Sequence, residues 1–364
     1  MALAIGFVLN AKGQGLFPIK NSPDWVSNVT PSFKLYRLYS LSIKFYIYDF
    51  KKILTPLRIN RVKRIIEKKF GCSFNRGLEN WVTLGMKSMF KNILKNNYDF
   101  IVMFYLYTGK LLDNVEIKAK KINFMEDFLS ITHFHNNSNM NIGASINSEI
   151  QMCCNFDEIA FISSDEKFFF QKLLPPKVNC HFVPHIMQAN KGEIAKEKIL
   201  DVLFLGHKNL YNIEGIEWFL ANVHQHIAPD ITIYIGGNIC DYIPDGYNNV
   251  KKLGFVENID ELYKKTKVCI CPLLNGTGMK IKVVEAMNYG IPVVCTSRGV
   301  DGFPDKTRNG CLVTDDPRRF ALQINSLCKD ESFYTQCAHD VSAYANEYLS
   351  YEKNVETLDR IFDV

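Results

Sequence analysis

The sequence predicts an α/β protein of two domains, each built around a mainly parallel sheet. Three observations carry that prediction. The chain has 364 residues, room for two domains of ordinary size. Apolar runs of strand length alternate with amphipathic helical segments, the pattern of strands joined by crossover helices. The clearest of those runs end on glycine or proline, where a buried strand hands over to a loop. A hydrophobic fraction of 47% is enough to fill both cores.

In the first domain, Leu3 to Leu9 reads as an opening strand, with Gly13 and Gly15 in the turn behind it. Residues from Phe33 to Phe70 are aromatic and basic and carry no clean period. Ile101 to Tyr107 reads as a strand, as do Lys121 to Met125 and Val178 to Val183. Between the last two, Glu158 to Ser163 is a further strand, and Asp165-Glu166 opens a helix behind it. Pro184 and the charged stretch from Asn190 to Lys198 mark a linker. The expected boundaries are 1–184 for the first Rossmann-like domain, 185–198 for the linker and 199–345 for the second Rossmann-like domain. A C-terminal helix in 346–364 is expected to pack back on the first domain.

The second domain reads more clearly. Asp201 to Leu205 is an apolar strand ending at Gly206, and Asn212 is placed to cap a helix. That helix puts Ile213, Ile216, Phe219, Leu220 and Val223 on one face. Ile231 to Ile235 is a strand ending in Gly236-Gly237, and a short helix follows near Asp260 to Lys265. Val268 to Cys271 is a strand closed by Pro272. The loop Leu273 to Gly278 leads into a helix from about Met279 to Tyr289, stopped by Gly290 and Pro292. Pro292 to Cys295 and Cys311 to Thr314 are further strands. Asp316 caps a helix with Pro317 at its first position, where the missing N–H costs nothing. Ser332 to Val364 reads as helix with one or two breaks. In such sheets ligands sit at the carboxyl ends of the strands. Three loops, Gly206 to Asn212, Gly236 to Asn238 and Leu273 to Gly278, therefore fall along one edge.

The formal charge is +5, unevenly spread. Between Lys34 and Lys95 there are fifteen Lys or Arg and three acids, Asp49, Glu67 and Glu79. Such a run is either a solvated helical face or a face that meets anionic lipid headgroups or an anionic acceptor. Clustered basic residues near a bilayer gain about 1 kcal/mol each. The run fits no nucleic-acid-binding motif, so nucleic acid is not expected as a partner. The 11 cysteines lack regular spacing, and none is paired with histidines as zinc ligands are. Free thiols in a reducing, cytoplasmic compartment explain them best. The opening apolar run, Met1 to Leu9, is too short to span a bilayer, so any membrane contact at the inner face would be peripheral.

The chemistry concentrates between Asn275 and Val294. Small residues at Gly276, Thr277 and Gly278 let the backbone approach a ligand closely. The loop runs into a helix whose first N–H groups are unpaired, at the positive end of its dipole. Together these suit a diphosphate. Lys280 and Lys282 lie in the first turn, where cations oppose the dipole unless an anion binds nearby. Glu285, about one turn on, can accept hydrogen bonds from ribose hydroxyls. In the first domain Glu126, Asp127, His133 and His135 form a polar cluster after a strand. It is either a solvated loop or part of a site. The two histidines alone do not make a metal centre.

These residues carry a resemblance. The run from Pro272 to Val294 looks like the C-terminal signature of GT-B glycosyltransferases, specifically the retaining group called GT4, or glycosyl transferases group 1. Asp201 to Asn212 resembles the opening of that family's second domain, and Asn249 to Asn258, with Gly254-Phe255-Val256, its "lGfv" strand and turn. Phe156 to Ser164 and Val178 to Pro184 resemble the end of the first domain. The resemblance covers roughly residues 95 to 345 and is specific from 201 to 300. It implies two Rossmann-like domains with parallel sheets facing a central cleft, and a nucleotide sugar as donor. Gly276, Thr277 and Gly278 would offer N–H groups to the diphosphate, with Met279 and Lys280 beside them. Lys282 would neutralise phosphate charge as the sugar leaves, and Glu285 would hold the ribose. Gly206 and Lys208 would face the phosphates, and Gly254 to Glu257 would flank the base. Asp127 and His133 would lie near the donor sugar and acceptor.

The family needs no metal, so neither a metal nor another cofactor is expected. Many members carry two glutamates eight positions apart; here the second is Glu285 and the first falls on Thr277. The resemblance implies a retaining transferase that moves a sugar from a UDP- or GDP-linked donor to a glycan or lipid-linked acceptor. Two alternatives stand beside it: a catalytically silent nucleotide-sugar-binding subunit and a GT-B nucleotide-sugar epimerase.

Overall fold

A computed structural model describes residues 2–5, 34–36, 84–95, 98–136, 139–185 and 198–363. The turn glycines Gly13 and Gly15, the end of the opening strand, most of the basic aromatic stretch and most of the linker lie outside the described residues. The chain divides into two units. The first comprises Met1–Phe161, Lys167–His181 and Asp359–Val364; the second comprises Ile162–Glu166 and Phe182–Leu358.

The first unit holds a six-stranded sheet. Its strands are β1 (Ala2–Ile5), β2 (Lys34–Tyr36), β3 (Phe100–Phe104), β4 (Lys120–Met125), β5 (Glu158–Phe161) and β6 (Asn179–Phe182), in the order β2-β1-β3-β4-β5-β6. The pairs β1–β2, β1–β3, β3–β4 and β4–β5 are parallel. Helices α1 (Leu84–Ile93), α2 (Leu129–Asn136), α3 (Ile142–Cys153) and α4 (Ser164–Leu173) are the helices described between them. Phe90, Ile101, Met103, Met152, Phe156, Phe161 and Phe170 belong to its buried core.

One predicted strand ends early. The apolar run expected to continue to Tyr107 stops at Phe104, because Tyr105 turns to φ 65° and a 3-10 helix takes Leu106–Leu111. Leu106, Tyr107 and Leu111 are buried there all the same. A short apolar run satisfies burial in either geometry, so its pattern does not distinguish them. His133 and His135 lie on α2 and not in a loop.

The second unit is a fully parallel sheet with a central switch. Its strands are β7 (Leu200–Leu205), β8 (Ile233–Gly236), β9 (Val250–Gly254), β10 (Thr266–Cys271), β11 (Val293–Cys295) and β12 (Leu312–Val313). Their order is β12-β11-β10-β7-β8-β9. The chain enters at β7, winds outward through β8 and β9, then returns to β10 on the other side of β7. The reversal falls between β7 and β10, and the crevice outside their carboxyl ends is where open α/β sheets take ligands.

Helices α5 (Leu210–Trp218), α6 (Ile259–Lys264), α7 (Ile281–Asn288), α8 (Pro317–Lys329), α9 (Glu331–Tyr348) and α10 (Tyr351–Phe362) complete the chain. The last turn of α10 is counted with the first unit, where Phe362 meets Phe100 edge-on at 5.3 Å and Lys120 pairs with Asp363 at 2.9 Å. Asp316 caps α8 by accepting from Arg319 N–H at 2.8 Å, with Pro317 at the first position as its sequence predicts. α5 continues as a π turn over Phe219–Val223, which keeps Ile216, Phe219, Leu220 and Val223 on the buried face. Its cap is Asn209, whose side chain accepts from Asn212 N–H at 2.9 Å. The expected cap, Asn212, lies three residues inside the helix and is left for other work.

Candidate functional site

The second unit brings three glycine-bearing strand ends together. Gly206 N–H donates to Gly236 O at 3.0 Å, and Gly237 N–H donates to Gly254 O at 2.7 Å. Gly237 holds φ 97°, and a Cβ there would run into the carbonyl of Gly206, so the two loops approach at backbone distance. Lys208 N–H donates to Asn238 Oδ1, fixing the first loop to the second. The Lys208 ammonium stands exposed over the Tyr242 ring, 4.5 Å from its centroid. Gly254 ends β9, and Phe255 beside it is 89% exposed.

The loop between β10 and α7 is braced from within. Gly276 sits at φ 118° with Tyr211 packed against it, and Asn275 Nδ2 donates to Glu214 Oε2 at 2.9 Å. Lys280 is buried and turned inward, donating to the carbonyls of Thr277 at 3.1 Å and Gly278 at 2.9 Å. It shapes the loop with two of its three N–H groups. Met279 is buried in the core beneath.

One predicted donor is already engaged. Gly278 N–H, expected to face a diphosphate, donates to Glu166 Oε1 at 3.1 Å. The neighbouring residues of that segment hold the Gly302 turn: Ser164 N–H reaches Gly302 O at 2.8 Å, and Gly302 N–H reaches Asp165 Oδ2 at 3.0 Å. Sequence placed Glu166 in a helix start and no more. A contact across 112 positions has no local signature.

Lys282 is the focal group. Its Nζ donates to Asn212 Oδ1 at 2.6 Å and lies 4.3 Å from the centroid of the buried Phe204 ring. Burial pulls its pKa down to about 8; the Cys271 thiol and Glu285 act upward and Lys280 acts downward. The helix it belongs to begins at Lys280 with no side chain capping it. A half-buried ammonium over a ring, at a helix start with no capping side chain, has the chemistry to meet an anion.

Glu285 lies one turn on and is fixed by aromatic neighbours. Tyr263 OH donates to Glu285 Oε2 at 2.7 Å. Tyr263 is buried and stacks on Tyr289 at 5.2 Å, and Tyr289 OH donates in turn to Asp260. This leaves the rest of the carboxylate to accept further hydroxyls. Asn212, Phe204 and Tyr263 are site neighbours that sequence reading missed. Each reads locally as a cap or a core residue, and only the packing of α5, β7 and α6 around α7 reveals the second role.

The first unit's polar cluster is a separate arrangement. Glu149, on α3, is buried and accepts from Leu129 N–H at 2.8 Å, Ser130 N–H at 2.9 Å and the Ser130 hydroxyl. Burial raises its pKa to about 7 against those three bonds. Glu126 is raised by burial too, opposed by a hydrogen bond from Tyr105, and Asp127 adds to the rise of both carboxyls. His133 is half-buried and lowered by desolvation. Among the described residues no three His, Cys, Asp or Glu side chains converge in a geometry that would hold a metal ion. Among them, too, no helix is long and apolar enough to cross a membrane.

Comparison with known proteins bears on the fold and on the second unit as a whole. The sequence model of the family described as Glycosyl transferases group 1 matches residues 200–330. An uncharacterized 44.6 kDa protein in the cps region of Klebsiella pneumoniae is 28% identical over 217 residues, 54% of each chain, so this chain spans about half the length of that curated relative. Among solved structures, TarM of S. aureus, crystallised with Fondaparinux, alpha-GlcNAc-glycerol and UDP, aligns with a TM-score of 0.60 at 15% identity, over 77% of this chain and 59% of that one. HepE of Anabaena, crystallised with UDP and glucose, aligns with a TM-score of 0.58 at 17% identity, over 76% of this chain and 81% of that one. Sucrose-phosphate synthase from Thermosynechococcus elongatus aligns at 0.61 and 14%, over 80% of this chain and 79% of that one. The chain thus has the GT-B fold, and residues 200–330 of its second unit match the sequence model of the glycosyl transferases group 1 family.

Proposed function

We propose that this protein is a retaining glycosyltransferase that moves a sugar from a UDP- or GDP-linked donor to a glycan or lipid-linked acceptor in polysaccharide or glycoconjugate synthesis. The observation that carries it is the Lys282 ammonium, held by Asn212 over Phe204 at the uncapped start of α7. The donor diphosphate meets Lys282 and the loop at Gly276 and Thr277. Its negative charge grows as the bond to the sugar breaks, and a cation already held in place stabilises that charge with little reorganisation. Glu285, steadied by Tyr263, receives the ribose hydroxyls. Gly206, Lys208 and Gly254 border the phosphates and base. Gly278 supports the loop through Glu166 and is not a free donor. UDP in the TarM and HepE crystals and the cps setting of the Klebsiella relative support a nucleotide-sugar donor and a polysaccharide product.

In the first unit, Asp127 and His133 are the groups proposed to act on the sugar and acceptor. The charge supplied by Lys282 makes a metal unnecessary. A peripheral contact with an anionic membrane at the cytoplasmic face would suit a lipid-linked acceptor.

The test is the thermal midpoint of the full chain against UDP, GDP, CMP and ADP sugars, with and without magnesium. A ligand that binds only the folded state raises the midpoint by mass action. The expected result is a rise with one nucleotide class, independent of magnesium. It is abolished in Lys282→Met, where affinity falls about 100-fold, the size of a lost charge-assisted contact. No rise with any nucleotide, or an undiminished rise in Lys282→Met, overturns the assignment. The silent-subunit reading is kept alive by Thr277, which leaves the loop without the first glutamate. Release of UDP from a donor that the wild type shifts, absent in Lys282→Met, removes it.

A further inference from the structure

Asn212 is the residue whose observed role departs furthest from its sequence reading. It lies in the first turn of α5, 70 positions from Lys282, and is buried. Its amide is committed at both ends. Oδ1 accepts from Lys282 Nζ at 2.6 Å, and Nδ2 donates to the carbonyl of His207 at 2.9 Å. Flipping the amide would set its NH2 against an ammonium and its oxygen against a carbonyl, so chemistry fixes which way it points. Its own N–H is taken by Asn209 Oδ1. One side chain therefore joins the loop after β7 to the lysine on α7.

We infer that Asn212 is the positioning residue of the Lys282 ammonium, and that its second arm ties the loop at 206–209 to α7, so that the two make one anion-binding unit. The identity of the anion rests on the nucleotide-sugar reading above; the positioning does not. A lysine stem is long and freely rotating, and a cation that must be ordered only when ligand arrives binds more weakly than one ordered beforehand. Here the order is supplied by a neutral oxygen and a ring, which hold the ammonium without neutralising it. The charged and titratable groups acting on it are Lys280 and Glu285 from its own loop and helix and the Cys271 thiol from β10. From α5 and β7 the contacts are the uncharged Asn212 and Phe204.

Three full-length variants test this: Asn212→Leu, which keeps size and removes the oxygen, Asn212→Asp, which adds charge, and Lys282→Met as the assignment control. Two quantities are measured. One is the titration of Lys282 by NMR of lysine labelled at Cε, without nucleotide. The other is the dissociation constant for UDP, and for GDP, by calorimetry at pH 7. In Asn212→Leu the titration midpoint of Lys282 falls by about one unit and the nucleotide affinity falls about tenfold, the size of one hydrogen bond to a charged group. In Asn212→Asp the midpoint rises above that of the wild type. A purely structural role for Asn212 would lower thermal stability and leave the Lys282 midpoint where it was.

An unmoved midpoint in both variants, with nucleotide affinity within twofold of wild type, overturns the inference. If the wild type binds neither UDP nor GDP, the nucleotide reading fails, and the NMR titration still decides whether Asn212 positions the lysine. Should Asn212→Leu fail to fold, the direction of the shift in the nearly isosteric Asn212→Asp decides alone.

Discussion

Two helices of this chain begin just behind parallel strands, and they treat their first N–H groups in opposite ways. α2, after β4 in the first unit, has its opening amides closed by Glu149, which takes Leu129 N–H and Ser130 N–H on its two oxygens. α7, after β10 in the second unit, starts at Lys280 with no capping side chain, and a half-buried lysine stands in its first turn. The local device is the same: unpaired amides at the positive end of a helix. In the first unit the protein supplies its own carboxylate. In the second it supplies a cation and no capping side chain, the arrangement proposed above to take an external anion. The difference separates a structural cap from a proposed binding site, although both are strand–loop–helix turns.

The largest expected effect breaks the closed cap. Glu149→Ala removes the acceptor of two buried amides and a hydroxyl, and a loss of about 2–3 kcal/mol in urea unfolding is expected. Glu149 also gives a pH signature of its own. Its folded pKa is raised to about 7 from the ordinary 4.5. The folded form therefore binds more protons between those values. The stability this group contributes is fully present below about pH 4.5 and is lost as pH rises through 7, about 3 kcal/mol across the window. Glu149→Gln keeps an acceptor and cannot titrate, so unfolding measured at pH 5 and pH 7.5 should lose that component of the slope. An unchanged slope would mean that the cap is ionised throughout.

The next effect sharpens the open end. Lys282 has a lowered folded pKa of about 8, so the unfolded chain binds more protons between that value and 10.5. Stability from this group rises with pH across that interval, the reverse of the Glu149 case. Nucleotide binding runs the other way, since it needs the ammonium: affinity should fall about tenfold per pH unit above 8. Calorimetry from pH 7 to 9.5 checks it, and a flat profile would remove Lys282 from the anion site. The smallest effect is Tyr263→Phe. It frees Glu285 from its hydroxyl partner, and UDP affinity should weaken several-fold while 2′-deoxy-UDP weakens less. Equal losses for both would detach Glu285 from the ribose.

Much of the second unit was legible from its residues. Asp316-Pro317 marks the start of α8 because a capping carboxylate and a missing N–H act within one turn. Gly290, at φ 64°, ends the run of α7 for an equally local reason. The loop at Gly276 to Gly278 running into α7 was read because its parts are neighbours in sequence. Two local readings still failed. Tyr105 turns to φ 65° inside an apolar run, and the capping of α5 falls to Asn209 where two asparagines three apart compete.

By itself, then, the sequence determined the two-unit α/β plan, the order of strands and helices in the second unit except β9, which entered only through the family resemblance, and the identity of the loop that opens α7. These follow from periodicity, caps and glycines, all of which act over a few residues. Only the tertiary structure decided which groups of that loop are available. It engaged Gly278 with Glu166, turned Lys280 inward, and set Lys282 between Asn212 and Phe204. Each of those contacts but the Lys280 one joins residues far apart in the chain. The physical reason is that burial and hydrogen bonding are settled by which strand ends and helix faces meet in space, and no local pattern carries that information.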